Sequence, residues 1–159
     1  MENKIKTLEE VAIISKKAKE EGKKVVTTNG CFDILHVGHI ENLEFAKRQG
    51  DVLIVGINSD LSVKASKGPT QPVILENDRA KVISALGCVD YVFIFDGSPL
   101  NWIFKIKPDV QVKNESTKNH PAFIPEKNEV EKYGGVIVLD SQSKINSTSE
   151  IIEKIQKLA

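Results

Sequence analysis

Two histidines, His36 and His39, lie three residues apart in the stretch TTNGCFDILHVGH (27–39), which passes from a strand pattern through Asn-Gly toward a helix. The N-terminus of a helix has unpaired N–H groups and a partial positive charge, so a strand-to-helix turn of this kind favours anions. Gly30 and Gly38 would let a ligand approach the backbone closely. The two imidazoles should project toward the same point, and the segment therefore predicts a phosphate-binding site.

Three other uses of these side chains compete with phosphate binding. The histidines could be satisfied, half-buried structural residues, although the glycines beside them make this the weaker interpretation. They could bind a metal ion with Cys31 and Asp33, but a zinc site usually draws ligands from a second cluster, and the remaining histidine, His120, lies in a proline-rich stretch. Cys31 could be a nucleophile with a histidine as its base, but the presence of these two residue types is the only support for this interpretation.

The length and charge of the chain predict one domain that acts on small molecules. Its 159 residues fit a single domain (1–159), with an N-terminal helix in 1–22 and a core in 23–159. Twenty-two Lys and Arg residues balance twenty-two Asp and Glu residues, so no excess charge favours nucleic acid or a membrane surface as partner. The first residues contain no apolar run typical of a signal peptide, and a cytoplasmic location is expected.

Five short apolar runs predict strands, and helical patterns lie between them. Because the runs are continuous, they are typical of strands covered on both faces. The alternation predicts an α/β fold, a Rossmann-like five-stranded parallel sheet with helices on both faces, in which ligands bind at the carboxyl ends of the strands where the strand order reverses. The predicted strands are 24–28, 51–58, 90–95, 109–113 and 135–140.

Helix ends and long loops complete the predicted organisation. Asn77 or Asp78 would cap one helix, Ser98 another before Pro99, and Ser147 the last. Two proline-containing segments, 66–76 and 114–128, read as loops, and loops of this length in a small domain are often functional.

The segment NGCFDILHVGH closely resembles the GxFDxxHxGH signature of the nucleotidyltransferases that include cytidylyltransferases and several adenylyltransferases. The rest of the chain is similar to one branch, the heptose 1-phosphate adenylyltransferases of ADP-heptose synthesis, and is expected to be the form without a fused sugar kinase. The stretches that carry this second resemblance are 53–60, 67–68, 79–95, 108–113 and 146–155.

The resemblance implies a HIGH-type nucleotidyltransferase fold and a defined reaction. A sugar phosphate such as heptose 1-phosphate would attack the α-phosphate of a nucleoside triphosphate, with ATP favoured, and pyrophosphate would leave. Mg²⁺ would enter with the triphosphate, bound mainly by phosphate and water, and no residue is assigned as a metal ligand. Positioning and charge neutralisation supply most of the acceleration in such transfers.

The resemblance also assigns roles to residues. The catalytic residues would be His36, His39 and Lys67. The nucleotide-binding residues would be Asn29, Gly30, Cys31, Phe32, Asp33, Gly38, Lys64, Arg79, Ser147 and Thr148.

Several of these residues have structural alternatives. Lys64 and Lys67, placed with the first loop, could be solvated surface lysines. Arg79 could grip a phosphate through two nitrogens, or form a surface ion pair with Glu76 or Asp78. Asp33 could hold the turn or help organise magnesium, and Ser147 could cap its helix as well as touch the nucleotide.

One segment departs from the heptose branch. The branch usually has KGGDY after its fourth strand, whereas this chain has KNEST at 113–117. This edge of the sheet should help to select the base and the acceptor, so a cytidylyltransferase acting on a small alcohol phosphate such as glycerol 3-phosphate stays open. A non-catalytic nucleotide-binding protein and a metal-dependent hydrolase are further alternatives. The run 102–104 could form a homodimer interface, although core packing is favoured.

Overall fold

A five-stranded parallel sheet forms the centre of the computed structural model, which describes residues 3–142 and 147–159. The strand order is β3-β2-β1-β4-β5, so the direction of strand addition reverses between β1 and β4. Each strand begins and ends within two residues of its predicted bounds. The strands are β1 (Val25–Gly30), β2 (Val52–Asn58), β3 (Tyr91–Phe95), β4 (Val110–Asn114) and β5 (Val136–Asp140).

Seven α-helices and one 3-10 turn (Glu115–Thr117) precede, connect and follow the strands in the described part of the chain. The helices are α1 (Leu8–Glu20), α2 (Val37–Lys47), α3 (Asp60–Lys67), α4 (Glu76–Ser84), α5 (Leu100–Ile106), α6 (Phe123–Glu131) and α7 (Thr148–Leu158).

Apolar side chains cover both faces of the sheet, as the continuous apolar runs predict. On one face, Leu43 of α2 and Ile83 of α4 pack against β1, β2 and β4. On the other face, Val11 of α1, Trp102 of α5 and Val130 of α6 pack against β1, β2 and β3. Two apolar layers with the sheet between them confirm the predicted α/β fold.

The run 102–104 belongs mainly to the core. Trp102 and Ile103 are fully buried, and Phe104 is partly exposed. Core packing, the favoured interpretation, therefore accounts for the first two residues.

The structure changes the bounds of both predicted loops. The predicted loop 66–76 has no regular element over 68–75, but its first two residues belong to α3 and its last residue to α4. Helix α3 carries both Lys64 and Lys67, so these lysines are helical. The segment 114–128 contains the end of β4, the 3-10 turn and the start of α6. Pro125 is compatible with α6 because the first turn of a helix does not use its N–H groups in intrahelical bonds.

The helix caps agree with prediction at one of three positions. Ser147 caps α7, and its hydroxyl accepts a hydrogen bond from the Glu150 amide. Helix α4 begins at Glu76 after Leu75, so the predicted caps Asn77 and Asp78 are wrong. Helix α5 begins one residue later than predicted, after Pro99.

None of the helices in residues 3–142 and 147–159 combines the length and the hydrophobicity that a transmembrane span requires.

Candidate active site

A cleft of about 230 Å³ opens at the carboxyl ends of β1 and β4. These two strands flank the point where the strand order reverses, which is where ligands bind in open α/β sheets. The turn after β1 and the first turn of α2 form one wall, and the end of β4 with the following 3-10 turn forms the other. Residues lining it are Thr28, Asn29, Gly30, Cys31, Phe32, His36, Gly38, His39, Asn42, Lys113, Asn114, Ser116 and Thr117.

The turn between β1 and α2 has an unusual backbone conformation at Phe32. Its φ of 49° lies in the left-handed region, which bulky residues seldom adopt and which is enriched at functional sites. The buried ring of Phe32 packs against His39, with 5.3 Å between ring centroids. A Cβ on Gly30 would lie 3.2 Å from this ring, so glycine allows the close approach.

Asp33 ties this turn to the segment between α3 and α4. Its side chain is buried, and its carboxylate accepts hydrogen bonds of 2.9 Å from the backbone amides of Val73 and Ile74. The structure thus agrees with the predicted role of Asp33 in holding the turn.

The two histidines stack on each other at the start of α2. Their ring centroids are 3.8 Å apart, with 22° between the ring planes. The Nδ1 atom of each ring is buried and has no hydrogen-bond partner among the described residues. The Nε2 atoms are therefore the ring nitrogens available to a ligand in the cleft.

Burial keeps both imidazoles uncharged near neutral pH. Burial, together with charge repulsion from His36 and Lys67, lowers the pKa of His39 from 6.5 to about 4. Burial also lowers the pKa of His36. A neutral imidazole with its proton on Nε2 donates one hydrogen bond, so the pair can present two N–H donors to an anion.

The surroundings of Cys31 disfavour a nucleophilic thiolate. Burial raises the pKa of its thiol, and this effect exceeds the opposing influence of Lys67 and Arg79. A thiol kept protonated is a poor nucleophile. Within the described ranges, no three His, Cys, Asp or Glu side chains group so that they could hold a metal ion.

The two predicted lysines of α3 face different parts of the molecule. The charge of Lys67 acts on both Cys31 and His39, which places it near the cleft. Lys64 instead lines a second cleft, of about 570 Å³, beside the ends of β2 and β3. Only Lys67 is therefore brought to the side of the histidine pair.

Arg79 lies behind the cleft wall, and its burial contradicts the alternative of a surface ion pair. It is 1% exposed and does not pair with Glu76 or Asp78 at the surface. Its Nε donates to the carbonyl of Ile74, one terminal nitrogen donates to the carbonyl of Cys31, and the other donates to Asp60 over 2.8 Å. Because the guanidinium is enclosed by these contacts, the geometry gives no support to direct phosphate binding, and Arg79 supports the wall.

Ser147 and Thr148 begin α7 but are not among the residues that line the cleft. Ser147 caps the helix, and Thr148 is buried. Their predicted contact with the nucleotide stays a prediction. Asn146, the first residue of the stretch 146–155 that carries part of the resemblance, lies outside the described residues.

Six cleft residues were missed in the sequence interpretation: Thr28 near the end of β1, Asn42, and four that belong to the segment that departs from KGGDY. Asn42 lies one turn after His39 on α2 and donates a hydrogen bond to Asp140 at the end of β5. The signal that could have found the others is their position, since residues that end a strand next to the reversal point face the ligand site. The four in that segment are Lys113, Asn114, Ser116 and Thr117.

A chain of polar side chains runs from the sheet interior to the cleft. The hydroxyl of Thr27 donates to Gln111 Oε1, and Gln111 Nε2 donates to Asn29 Oδ1 over 2.9 Å. Lys113 Nζ lies 3.4 Å from the same Asn29 oxygen. Thr27 and Gln111 face each other in the β1–β4 register, so the chain is built on one face of the two central strands.

A sequence model of the cytidylyltransferase-like family matches residues 27–154. The match includes all five strands, except for the first two residues of β1, and the turn that carries both histidines.

Several relatives with similar sequences carry the name Bifunctional protein HldE. The protein from Geobacter metallireducens is 48% identical over 153 residues, 96% of this chain and 31% of its own length. The protein from Campylobacter concisus is 56% identical over 119 residues, 74% of this chain and 25% of its own length. The chain therefore spans less than a third of the length of these relatives.

A solved structure also resembles the chain. The lipopolysaccharide core biosynthesis protein from Thermoplasma volcanium GSS1 is 31% identical, with a TM-score of 0.66, and the alignment covers 77% of this chain and all of that protein.

Proposed function

The chain belongs to the cytidylyltransferase-like family of nucleotidyltransferases, and we propose that it transfers the nucleoside monophosphate of ATP to a sugar phosphate such as heptose 1-phosphate. The observation that carries this proposal is the stacked, uncharged histidine pair at the mouth of the cleft between β1 and β4. Similarity to the heptose 1-phosphate adenylyltransferases across most of the chain, and to the protein from Thermoplasma volcanium, supports a sugar phosphate as acceptor.

In the proposed reaction, an acceptor phosphate oxygen attacks the α-phosphorus of the nucleoside triphosphate. The bond between the α-phosphorus and the bridging oxygen breaks, and pyrophosphate leaves with that electron pair. The triphosphate enters as its Mg²⁺ complex, so the metal ion is part of the substrate.

Each part of the cleft has a defined task in this reaction. The Nε2–H groups of His36 and His39 donate hydrogen bonds to phosphate oxygens on which negative charge grows in the transition state. The first turn of α2 adds unpaired backbone N–H groups and a partial positive charge. Lys67 contributes positive charge from the side of α3.

Uncharged imidazoles suit this task because they need no proton exchange during turnover. Since burial and nearby charge lower the pKa of His39 to about 4, the ring keeps the same protonation state across the neutral range. Fixed donors of this kind stabilise a transition state without reorganising.

The second wall is expected to select the substrates. Asn114, Ser116 and Thr117 line it where the heptose branch has KGGDY, so the base and the acceptor are the parts of the proposal that depend on it. CTP with a small alcohol phosphate is the alternative pair of substrates.

The test is a matrix of nucleoside triphosphates against phosphorylated acceptors, with pyrophosphate release as readout and Mg²⁺ present. The proposal expects release with ATP and heptose 1-phosphate. Release with CTP and glycerol 3-phosphate alone would replace these substrates by the alternative pair. Nucleotide binding without release under any combination would indicate a non-catalytic binding protein and overturn the proposal.

A further inference from the structure

Lys113 is the one formally charged side chain among the described residues that line the cleft. The other residues of the lining are uncharged at neutral pH, because the two imidazoles are kept neutral by burial. Arg79 is enclosed behind the wall, and Lys67 lies outside the lining. A triphosphate carries several negative charges, so a cleft for this ligand requires a cation that reaches into it.

Two contacts hold the Lys113 ammonium group in place. Nζ lies 2.9 Å from Glu126 Oε2 of α6, in an ion pair whose side chains are 12% and 4% exposed. It also lies 3.4 Å from Asn29 Oδ1 on β1. Lysine has a flexible stem with three N–H donors, and these contacts fix the stem while only the contact with Asn29 engages a donor in a hydrogen bond.

The placement of Glu126 points to a purpose beyond packing. A buried carboxylate is costly unless it is paired, and Lys113 is its cation here. Glu126 Oε2 accepts no hydrogen bond in the described ranges, so the ion pair with Lys113 is what balances its charge. The ion pair therefore holds one positive charge at the end of β4, on the cleft wall opposite the turn that bears the histidines.

From these observations we infer that Lys113 contacts the phosphate groups of the nucleotide, and that Glu126 is the residue that positions it. The inference rests on the proposed function and adds a second phosphate-binding element to it. An N–H of Lys113 that does not bind Asn29 would donate to a phosphate oxygen, so the anion would lie between the two histidines and the ammonium group.

The decisive variant is the double substitution Lys113→Met/Glu126→Gln, which removes both charges and leaves no lone buried carboxylate. We expect its affinity for inorganic pyrophosphate and for ATP to fall on the order of tenfold or more, because a hydrogen bond to a charged group is lost. Affinity for adenosine, which has no phosphate, should stay unchanged. Calorimetric titration at fixed ionic strength measures all three.

A matched control lies next to this pair on α6. Lys127 and Glu131 form an exposed ion pair, with 3.7 Å between Nζ and Oε1. The substitution Lys127→Met/Glu131→Gln makes the same change in charge away from the cleft. It should leave pyrophosphate affinity unchanged.

The single substitution Glu126→Gln tests the positioning role. It keeps the cation and nearly the same side-chain volume, so pyrophosphate affinity should fall severalfold, less than in the double variant. In turnover, the KM for ATP should rise while kcat changes less, a separation that a merely structural role would not produce. If both variants keep their fold and bind pyrophosphate like the unsubstituted chain, the inference is wrong.

Failure of the inference can be distinguished from failure of the proposed function. Binding of ATP and pyrophosphate by the unsubstituted chain, with loss in the double variant but no turnover with any acceptor, overturns the catalytic proposal and keeps Lys113 as a phosphate contact. Absence of pyrophosphate binding by the unsubstituted chain overturns both.

Discussion

His39 is the residue on which the proposed chemistry depends most directly, since its ring contacts both His36 and Phe32. We expect His39→Ala to lower turnover by on the order of a hundredfold or more, because one donor to the developing charge is lost. Folding should persist, since Nδ1 has no hydrogen-bond partner in the described structure. Pyrophosphate release and thermal unfolding measure the two effects, and near-normal turnover would contradict the assigned role.

The low pKa of His39 also predicts how stability depends on pH. Its pKa is about 4 in the folded chain, against 6.5 without burial. Between these values the unfolded state binds a proton that the folded state does not, so the free energy of unfolding falls as the pH drops from 6.5 toward 4. Above this window the contribution of His39 to stability is fully present.

Urea unfolding across this pH window tests the expectation. The variant His39→Asn, which cannot titrate there, should show a flatter decline in the urea midpoint than the unsubstituted chain. His120→Gln, on an exposed residue, is the control and should keep the steeper decline. Equal slopes for the His39 variant and the unsubstituted chain would be evidence against a buried, neutral ring.

Among elements, the segment between α3 and α4 depends on a single carboxylate. Asp33→Ala would leave the amides of Val73 and Ile74 without their acceptor. We expect a loss of about 1–3 kcal/mol in the free energy of unfolding, together with faster proteolysis within 68–75.

The control for this substitution is Asp78→Ala, which removes an exposed carboxylate from the first turn of α4. Its effect should stay below about 1 kcal/mol. If the two variants unfold at the same urea concentration, Asp33 does not tether the segment.

The strands were predictable because burial on both faces leaves a direct trace in the sequence. Helices α3 and α6 were not predictable from the sequence, and the reasons differ. Helix α3 has eight residues with one buried side chain, Val63, so it shows little periodicity. In α6, Pro125 resembles a helix breaker, although the first turn accepts it.

The candidate site likewise has one part that could be predicted from the sequence and one part that could not. The turn with His36 and His39 is local in sequence, so its position could be predicted. The surroundings of Arg79 and Lys113 depend on distant partners, since the carbonyl of Cys31 lies 48 residues from Arg79. Whether a charged side chain points into a cleft or into the wall behind it cannot be read from residue type or spacing.

At the scale of the whole molecule, the two apolar layers share the same sheet and should unfold together. Trp102, the one tryptophan of the chain, is fully buried in the layer formed by α1, α5 and α6. Its fluorescence therefore reports one layer, whereas far-ultraviolet circular dichroism reports all helices and strands. We expect both signals to give the same urea midpoint, as a two-state domain requires.

Two separate midpoints would contradict this expectation. They would also contradict the prediction that residues 1–159 form one domain, because one layer would then lose its structure before the other. Adding ATP should raise a shared midpoint, since a ligand that binds the folded state alone stabilises it.

The turn after β4 is held mainly by contacts within itself. Asn114 Oδ1 accepts a hydrogen bond from the Ser116 amide, and the Thr117 hydroxyl donates to the Asn114 carbonyl. Such a segment can be exchanged for another sequence without displacing the wall that bears the imidazoles. Evolution, or a designer who grafts the corresponding stretch of a related enzyme, could in this way change the substrate specificity and leave the residues that perform the transfer as they are.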